Sequence, residues 1–287
     1  MITRTASDMD IAGVGRVGEL VLQYVHQGSK TILSHARSRS PWHFLPPIVL
    51  DDGSAYTNLI NPSGGLVGGD RLSTRITLNR DAHVVVSTPS ANRVYRSVSE
   101  TAVQLFDLTV SSGAILEWFP EHTIPFTDSR FRQVIHVRLY PGATIVLWDA
   151  IAAGRIARGE RWRFASLENE IRIVTASRGY LLERYHIKGL EPLQDRLLSG
   201  WDYMASLYVV NDRITSDVWN SLNETLAVLL DTGNSQVFGA TSEPAIPGLA
   251  IRLVARTAPD LHAICQNLWG AVRAGLWKLP LPDLRRR

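Results

Sequence analysis

The chain has 287 residues, 45% hydrophobic and 20% charged, which is ordinary for a soluble globular protein and enough for a well-buried core. Its formal net charge of +3 is too weak to argue for a nucleic-acid partner. A single cysteine, Cys265, excludes an intrachain disulfide; a polar N-terminal stretch and apolar runs far short of the ~20 residues a membrane helix needs point to a cytoplasmic protein with no leader and no membrane partner.

In chain order, β-rich runs recur between turn residues at 19–25, 30–34, 55–60, 75–78, 83–87, 102–110, 114–119, 131–139, 144–150, 161–164, 170–176 and 180–187. Alternation sets Ile135, Val137 and Leu139 on one face, with Gln133 and the arginines expected off it. No helix of ordinary length fits before about residue 190. So many strands without helices argue for stacked sheets, a barrel or a β-solenoid rather than a βαβ fold. No internal repeat of fixed period is visible.

The pattern changes after residue 190. Residues 192–209 read as helical with an irregular end. Ile214, Val218, Leu222, Leu226 and Leu229 have helical spacing, residues 236–240 and 249–255 read as strands, and Leu261, Ile264, Cys265, Leu268 and Val272 form one stripe of a helix over 259–277. The expected organisation is a β-rich body over 1–190 and an α+β part over 191–287 with the order α-β-β-α, packed together as one continuous domain.

Three motifs invite a chemical reading. Residues Gly13 to Gly18 match G-x-G-x-x-G, but a strand-like run follows and no acid stands about 20 residues on, so the dinucleotide reading fails. Asn61 to Leu72 places Gly64, Gly65, Gly68 and Gly69 within six positions, ahead of Asp70-Arg71. No Lys-Ser/Thr follows, so this is not a Walker loop; a tight turn governed by backbone shape is the expectation. Eight histidines form no HExxH, HxH or i, i+4 pair, and one cysteine cannot build a thiolate site, so no permanent metal centre is expected. Glu117 shares a strand face with Ile115 and Phe119, and Asp149 shares one with Leu147 and Ile151. Either these faces look to solvent, or the carboxylates are buried with a partner, internal water or a cation.

Several blocks carry a resemblance. They are Pro62-x-Gly64-Gly65-Leu66-Val67-Gly68-Gly69-Asp70; Ser87 to Ser97, with Val94-Tyr95-Arg96-Ser97; Gly113 to Pro120, running on to Ile124 and Phe126; and Leu147-Trp148-Asp149, then Gly154-Arg155 and Gly159-Glu160. Weaker matches lie at Gly28-x-x-Thr31-x-Leu33 and around Trp269. In this order and spacing the chain resembles the urease accessory protein UreD (UreH) family. It departs from the family's pattern at Arg93, where lysine is usual, at Glu121-His122, and at Leu281-Pro282-Asp283-Leu284.

The resemblance implies a mainly β, solenoid-like (β-helix-like) body with a smaller α+β C-terminal part, and a protein that is not an enzyme. It implies a scaffold that links the urease apoprotein to UreF, and through UreF to the GTPase UreG, and that conducts nickel to the urease site through an internal passage. Nickel would be in transit, with no permanent cofactor. Glu117 and Asp149 are then the leading passage candidates, with Glu121 and His122 beside them; Gly64, Gly65, Gly68, Gly69, Asp70, Tyr95 and Arg96 are structural. The alternative is a pure assembly scaffold that orders its partners and opens the urease site without carrying nickel.

Overall fold

From Ala55 onward the chain steps back and forth between two sheets. The structure is a computed structural model that describes residues 17–177, 179–189, 200–231 and 235–284. Strands β1 (Val17–Gln27) and β2 (Lys30–Arg39) form an antiparallel hairpin, and two short strands follow, β3 (His43–Phe44) and β4 (Ile48–Val49). Then β5 (Ala55–Ile60) leads to β6 (Arg71–Leu78), and β7 (His83–Ser87) leads through β8 (Asn92–Val94) to β9 (Ala102–Val110). Next, β10 (Ile115–Phe119) leads through β11 (Thr123–Pro125) to β12 (Arg130–Leu139), and β13 (Thr144–Ala152) leads to β14 (Ser166–Val174) and β15 (Tyr180–Ile187).

Strands β5, β7, β10 and β13 pair in parallel in one sheet, and β6, β9, β12 and β14 pair in parallel in the other. This is a β-solenoid of four coils. The coils begin at residues 55, 83, 115 and 144, so their lengths are close but unequal. That is why no fixed period shows in the sequence.

The first sheet continues through β16 (Tyr203–Val210), β18 (Gly248–Ala255) and β17 (Val237–Ser242), all antiparallel. The second is seven-stranded, in the order β15-β14-β12-β9-β6-β1-β2. One apolar core, including Leu22, Leu72, Leu108, Trp118, Ile135 and Leu147, lies between the sheets. A second lies between the outer face of the larger sheet and helices α1 (Ser216–Leu230) and α2 (Ala258–Trp277). Strand β13 is therefore buried on both faces, and its sequence, TIVLWDAIA, is apolar at nearly every position instead of alternating.

Several expectations change. Residues 161–164 are irregular, with Trp162 at φ 53°, not a strand. Of residues 192–209, those from 203 are strand β16, and 192–199 lie outside the described residues; the α-β-β-α order gives way to a strand before α1. Helix α1 buries Trp219, Leu222, Leu226 and Leu230, so its inward face is turned away from Val218, which is exposed. Helix α2 begins where expected: the Asp260 N–H donates to Thr257 Oγ1 at 3.3 Å and Pro259 sits in the first turn. Of the Gly13–Gly18 motif, residues 13–16 lie outside the described residues, and Gly18 is already within β1, so the motif opens a strand and not a helix.

Candidate functional site

The corners of the four coils stack along one side of the solenoid; the blocks at 62–70, 87–97 and 154–160 form corners, whereas Gly113 to Pro120 and Leu147 to Asp149 lie along strands β10 and β13. The glycine stretch is the corner between β5 and β6. Asn61 organises it: its side chain donates to Gly65 O at 3.1 Å and accepts the Ser63 N–H at 3.2 Å. Asp70 turns back to accept the Val67 N–H at 2.9 Å. Gly64 and Gly69 adopt φ of +76° and +88°, which only glycine tolerates readily. At Gly68 the reason is space, because a Cβ there would overlap Ser97 Oγ and approach Glu100 O. The stretch is thus a turn between strands, as expected.

Leu66 then bridges to the next corner, its N–H donating to Arg93 O at 2.7 Å and its carbonyl accepting the Tyr95 N–H at 2.8 Å. Tyr95 packs edge-on against Phe126, 5.1 Å between ring centres, and donates its hydroxyl to Gly64 O at 3.2 Å. Arg155 lies 4.3 Å over the Phe126 ring and forks onto Glu160, holding that carboxyl well below its ordinary range, at about 2. Arg96 is exposed and reaches Asp128 at 3.3 Å.

Behind the corners lies a column of buried polar side chains. Strand pairing sets Gln104 opposite Gln133, Gln133 opposite Asn169, and Asn169 opposite Tyr185. All point inward, which corrects the expectation that Gln133 lies off the Ile135 face. From the facing sheet Asp149 completes the column. Gln133 Nε2 donates to one of its oxygens and Asn169 Nδ2 to the other, both at 2.8 Å. Asn169 also reaches Tyr185 Oη at 3.0 Å, and Asn92 Nδ2 donates to Gln104 Oε1 at 2.9 Å. Burial pushes the Asp149 carboxyl above the usual range, because the neutral donors Gln133, Asn169 and Tyr185 offset only part of the lost hydration.

Asp149 lines two cavities. One is a cleft of about 110 Å³ that opens beside Gly64, Gly65 and Arg93 and runs past Gln104 and Gln133. The other, about 290 Å³, is lined by Tyr185, Met204 and Phe238, with the Glu183–Arg252 ion pair in its wall.

Glu117 is elsewhere. It is fully buried, but on the opposite face of the same sheet, beneath α2. Its carboxylate accepts from Trp269 Nε1 and Arg273 Nη1 and lies 2.5 Å from His83 Nε2. Arg273 also bonds Asp52 and donates to Pro280 O at 2.8 Å. So both carboxylates are buried, as the second alternative had it, but they do not line one passage. Glu117 is a paired anchor for the C-terminal helix. Glu121 does reach the first cleft, and it also borders a groove lined by Cys265, Trp269 and Leu284. Its N–H donates to Thr88 Oγ1 at 2.9 Å, and contact with His122 holds its carboxyl below the usual range. His122 stands edge-on to Tyr203.

The residues passed over in the sequence are Gln104 and Asn169, and Gln133 is placed there on the wrong face. The available signal was a polar residue in the inward-facing set of three successive long strands. Among the described residues no group of three or more His, Cys, Asp or Glu is placed to hold a metal ion, and no helix is long and apolar enough to cross a membrane. The charged oxygen donor that the cleft offers beside these amides is the Asp149 carboxylate, which accepts from the Gln133 and Asn169 NH2 groups.

Fold and site together define a two-sheet β-solenoid with a polar column through its core, a class far from nucleotide-binding α/β proteins. The family model for the UreD urease accessory protein matches residues 16–287, and the chain belongs to that family. Relatives include the urease accessory protein UreD of Mycolicibacterium gilvum, 34% identical over 90% of this chain and 94% of its own length. Those of Cupriavidus necator and Escherichia coli are 29% and 28% identical, over 93% and 92% of this chain and 92% and 94% of their own lengths. The chain thus has an accessory role in urease maturation.

Proposed function

We propose that this chain is the scaffold on which the urease apoprotein meets UreF, and through UreF the GTPase UreG, and that nickel passes through its interior on the way to the urease site. The observation that carries the passage is Asp149, a buried carboxylate that lines both cavities and is held only by neutral donors. A carboxylate with amide neighbours binds Ni²⁺ loosely enough to let it go, whereas a closed imidazole or thiolate cage would retain it. Glu121 at the cleft's edge fits an entry position; Glu117, tied to Arg273, does not belong to the path. The protein has no catalytic step of its own on this reading and works in the cytoplasm. The β-rich residues 1–190 and the α+β residues 191–287 act as one unit, since β16 and β18 extend the sheet that β13 ends.

The test is the Asp149→Ala chain, with co-purification of urease apoprotein and UreF scored beside the nickel content of the urease produced. Intact partner binding with a several-fold drop in nickel is the expected result. Unchanged nickel content would leave the assembly-scaffold reading in its place.

A further inference from the structure

The two sheets differ in how their outer faces are covered. Helices α1 and α2 cover the larger one. No described element packs on the outer face of the seven-stranded sheet, which presents seven strands side by side.

The register shows what this face offers. Arg71, Val103 and Arg132 lie in one row, so two exposed arginines flank an apolar residue. The next row sets Ser73, Leu105 and Val134 side by side, with Leu105 46% exposed, over a shallow hollow that Arg75 and His136 also line. Arg75 and Arg138 both reach Asp107, at 4.0 and 2.6 Å. Arg184 takes Glu170 and Arg132 takes Glu168. Toward the hairpin edge, Arg37 pairs with Glu19, opposite Arg39. Counting Arg172, the face carries eight exposed arginines against four carboxylates, Glu19, Asp107, Glu168 and Glu170. That excess is larger than the +3 of the whole chain. The positive charge is concentrated here, and the remainder of the molecule is not basic.

We propose that this face docks a protein partner that presents carboxylates around an apolar side chain, the apolar group seating on Leu105 and Val134 and the carboxylates meeting Arg71, Arg132 and their neighbours. The inference rests on the scaffold reading above and assigns it a surface. An apolar centre within a charged rim is the usual anatomy of a protein–protein interface. The four interspersed carboxylates disfavour a phosphate backbone or an anionic membrane, which would meet them at close range. Arginine forks match carboxylates in pairs and steer association in a salt-dependent way.

The experiment compares the full chain with the Arg71→Glu/Arg132→Glu variant and with Leu105→Asp, by binding to immobilised urease apoprotein and, separately, to UreF, at about 50 and 500 mM salt. Duplex DNA and anionic phosphatidylserine vesicles serve as control probes. Thermal unfolding checks that the exposed substitutions leave the fold intact. At least a tenfold loss of affinity for one of the two proteins in both variants, with wild-type binding weakened by salt, is the expected result and identifies the occupant. Equal binding of variants and wild type to both proteins overturns the surface and leaves the scaffold reading standing. Wild-type binding to neither protein overturns both. Arginine-dependent binding to DNA or vesicles alone overturns the protein partner.

Discussion

Glu117 and Arg273, 156 residues apart, meet as a buried ion pair beneath the C-terminal helix. Arg273 is 1% exposed and bridges two carboxylates, Glu117 and Asp52, from strands and turns of the solenoid. A charge taken from water in this way is costly to leave without its partner. Arg273→Leu is therefore expected to destabilise the chain by about 3–5 kcal/mol, read by urea unfolding. Adding Glu117→Gln should recover part of that loss, since the two sites are coupled. A loss below about 1 kcal/mol would mean that the pair is not what holds α2 in place.

Asp149 gives a pH-dependent prediction of opposite sign. Burial raises its folded-state carboxyl above the unfolded value, so the folded chain binds the proton more readily. Ionised Asp149 then costs stability at neutral pH, and the cost fades as pH falls through the raised value toward the ordinary carboxylate range. Asp149→Asn should be at least as stable as wild type at pH 7.5, and wild type should gain on it as the buffer is taken to pH 5. Denaturation midpoints at the two pH values measure this. A variant markedly less stable at pH 7.5 would contradict it.

Glu160 runs the other way. Its hydrogen bonds with Arg155, aided by the Thr127 N–H, hold its carboxyl at about 2 despite some burial. The stabilisation it provides is present above the ordinary glutamate value and is lost as pH falls toward 2. Arg155→Gln is expected to return Glu160 to about 4, followed by carboxyl-carbon NMR.

The glycine corner separates two kinds of strain. Gly68→Ala brings a Cβ onto Ser97 and Glu100 O and should cost about 1–3 kcal/mol by crowding. Gly64→Ala meets only Tyr95 Oη at 3.6 Å, and its cost of about 1 kcal/mol is that of the left-handed backbone. Ser97→Gly should partly rescue the first and leave the second unchanged, with urea midpoints as the readout.

Much of the solenoid was legible in residue patterns, because each strand's alternation or apolar run is local. The short strands β3, β4, β8 and β11 were not, since two or three residues carry no period. Strand β16 was missed for a different reason. It is buried through most of its length as an inner strand of the larger sheet, so its run of apolar residues has no alternation to separate it from a buried helix.

The amino-acid sequence alone determined the family, the β-rich class, the turn at Gly64–Gly69 and the oddity of two acids among apolar neighbours. Only the tertiary structure decided what those acids do. One residue of parity along a strand sends a side chain to the opposite face of a sheet, and a sheet covered on both sides hides which face is which. Glu117 therefore faces Arg273 on a helix 156 positions away, while Asp149 faces Gln133 and Asn169 across the core. Those pairings depend on the stacking of coils of unequal length, and no local pattern records that stacking.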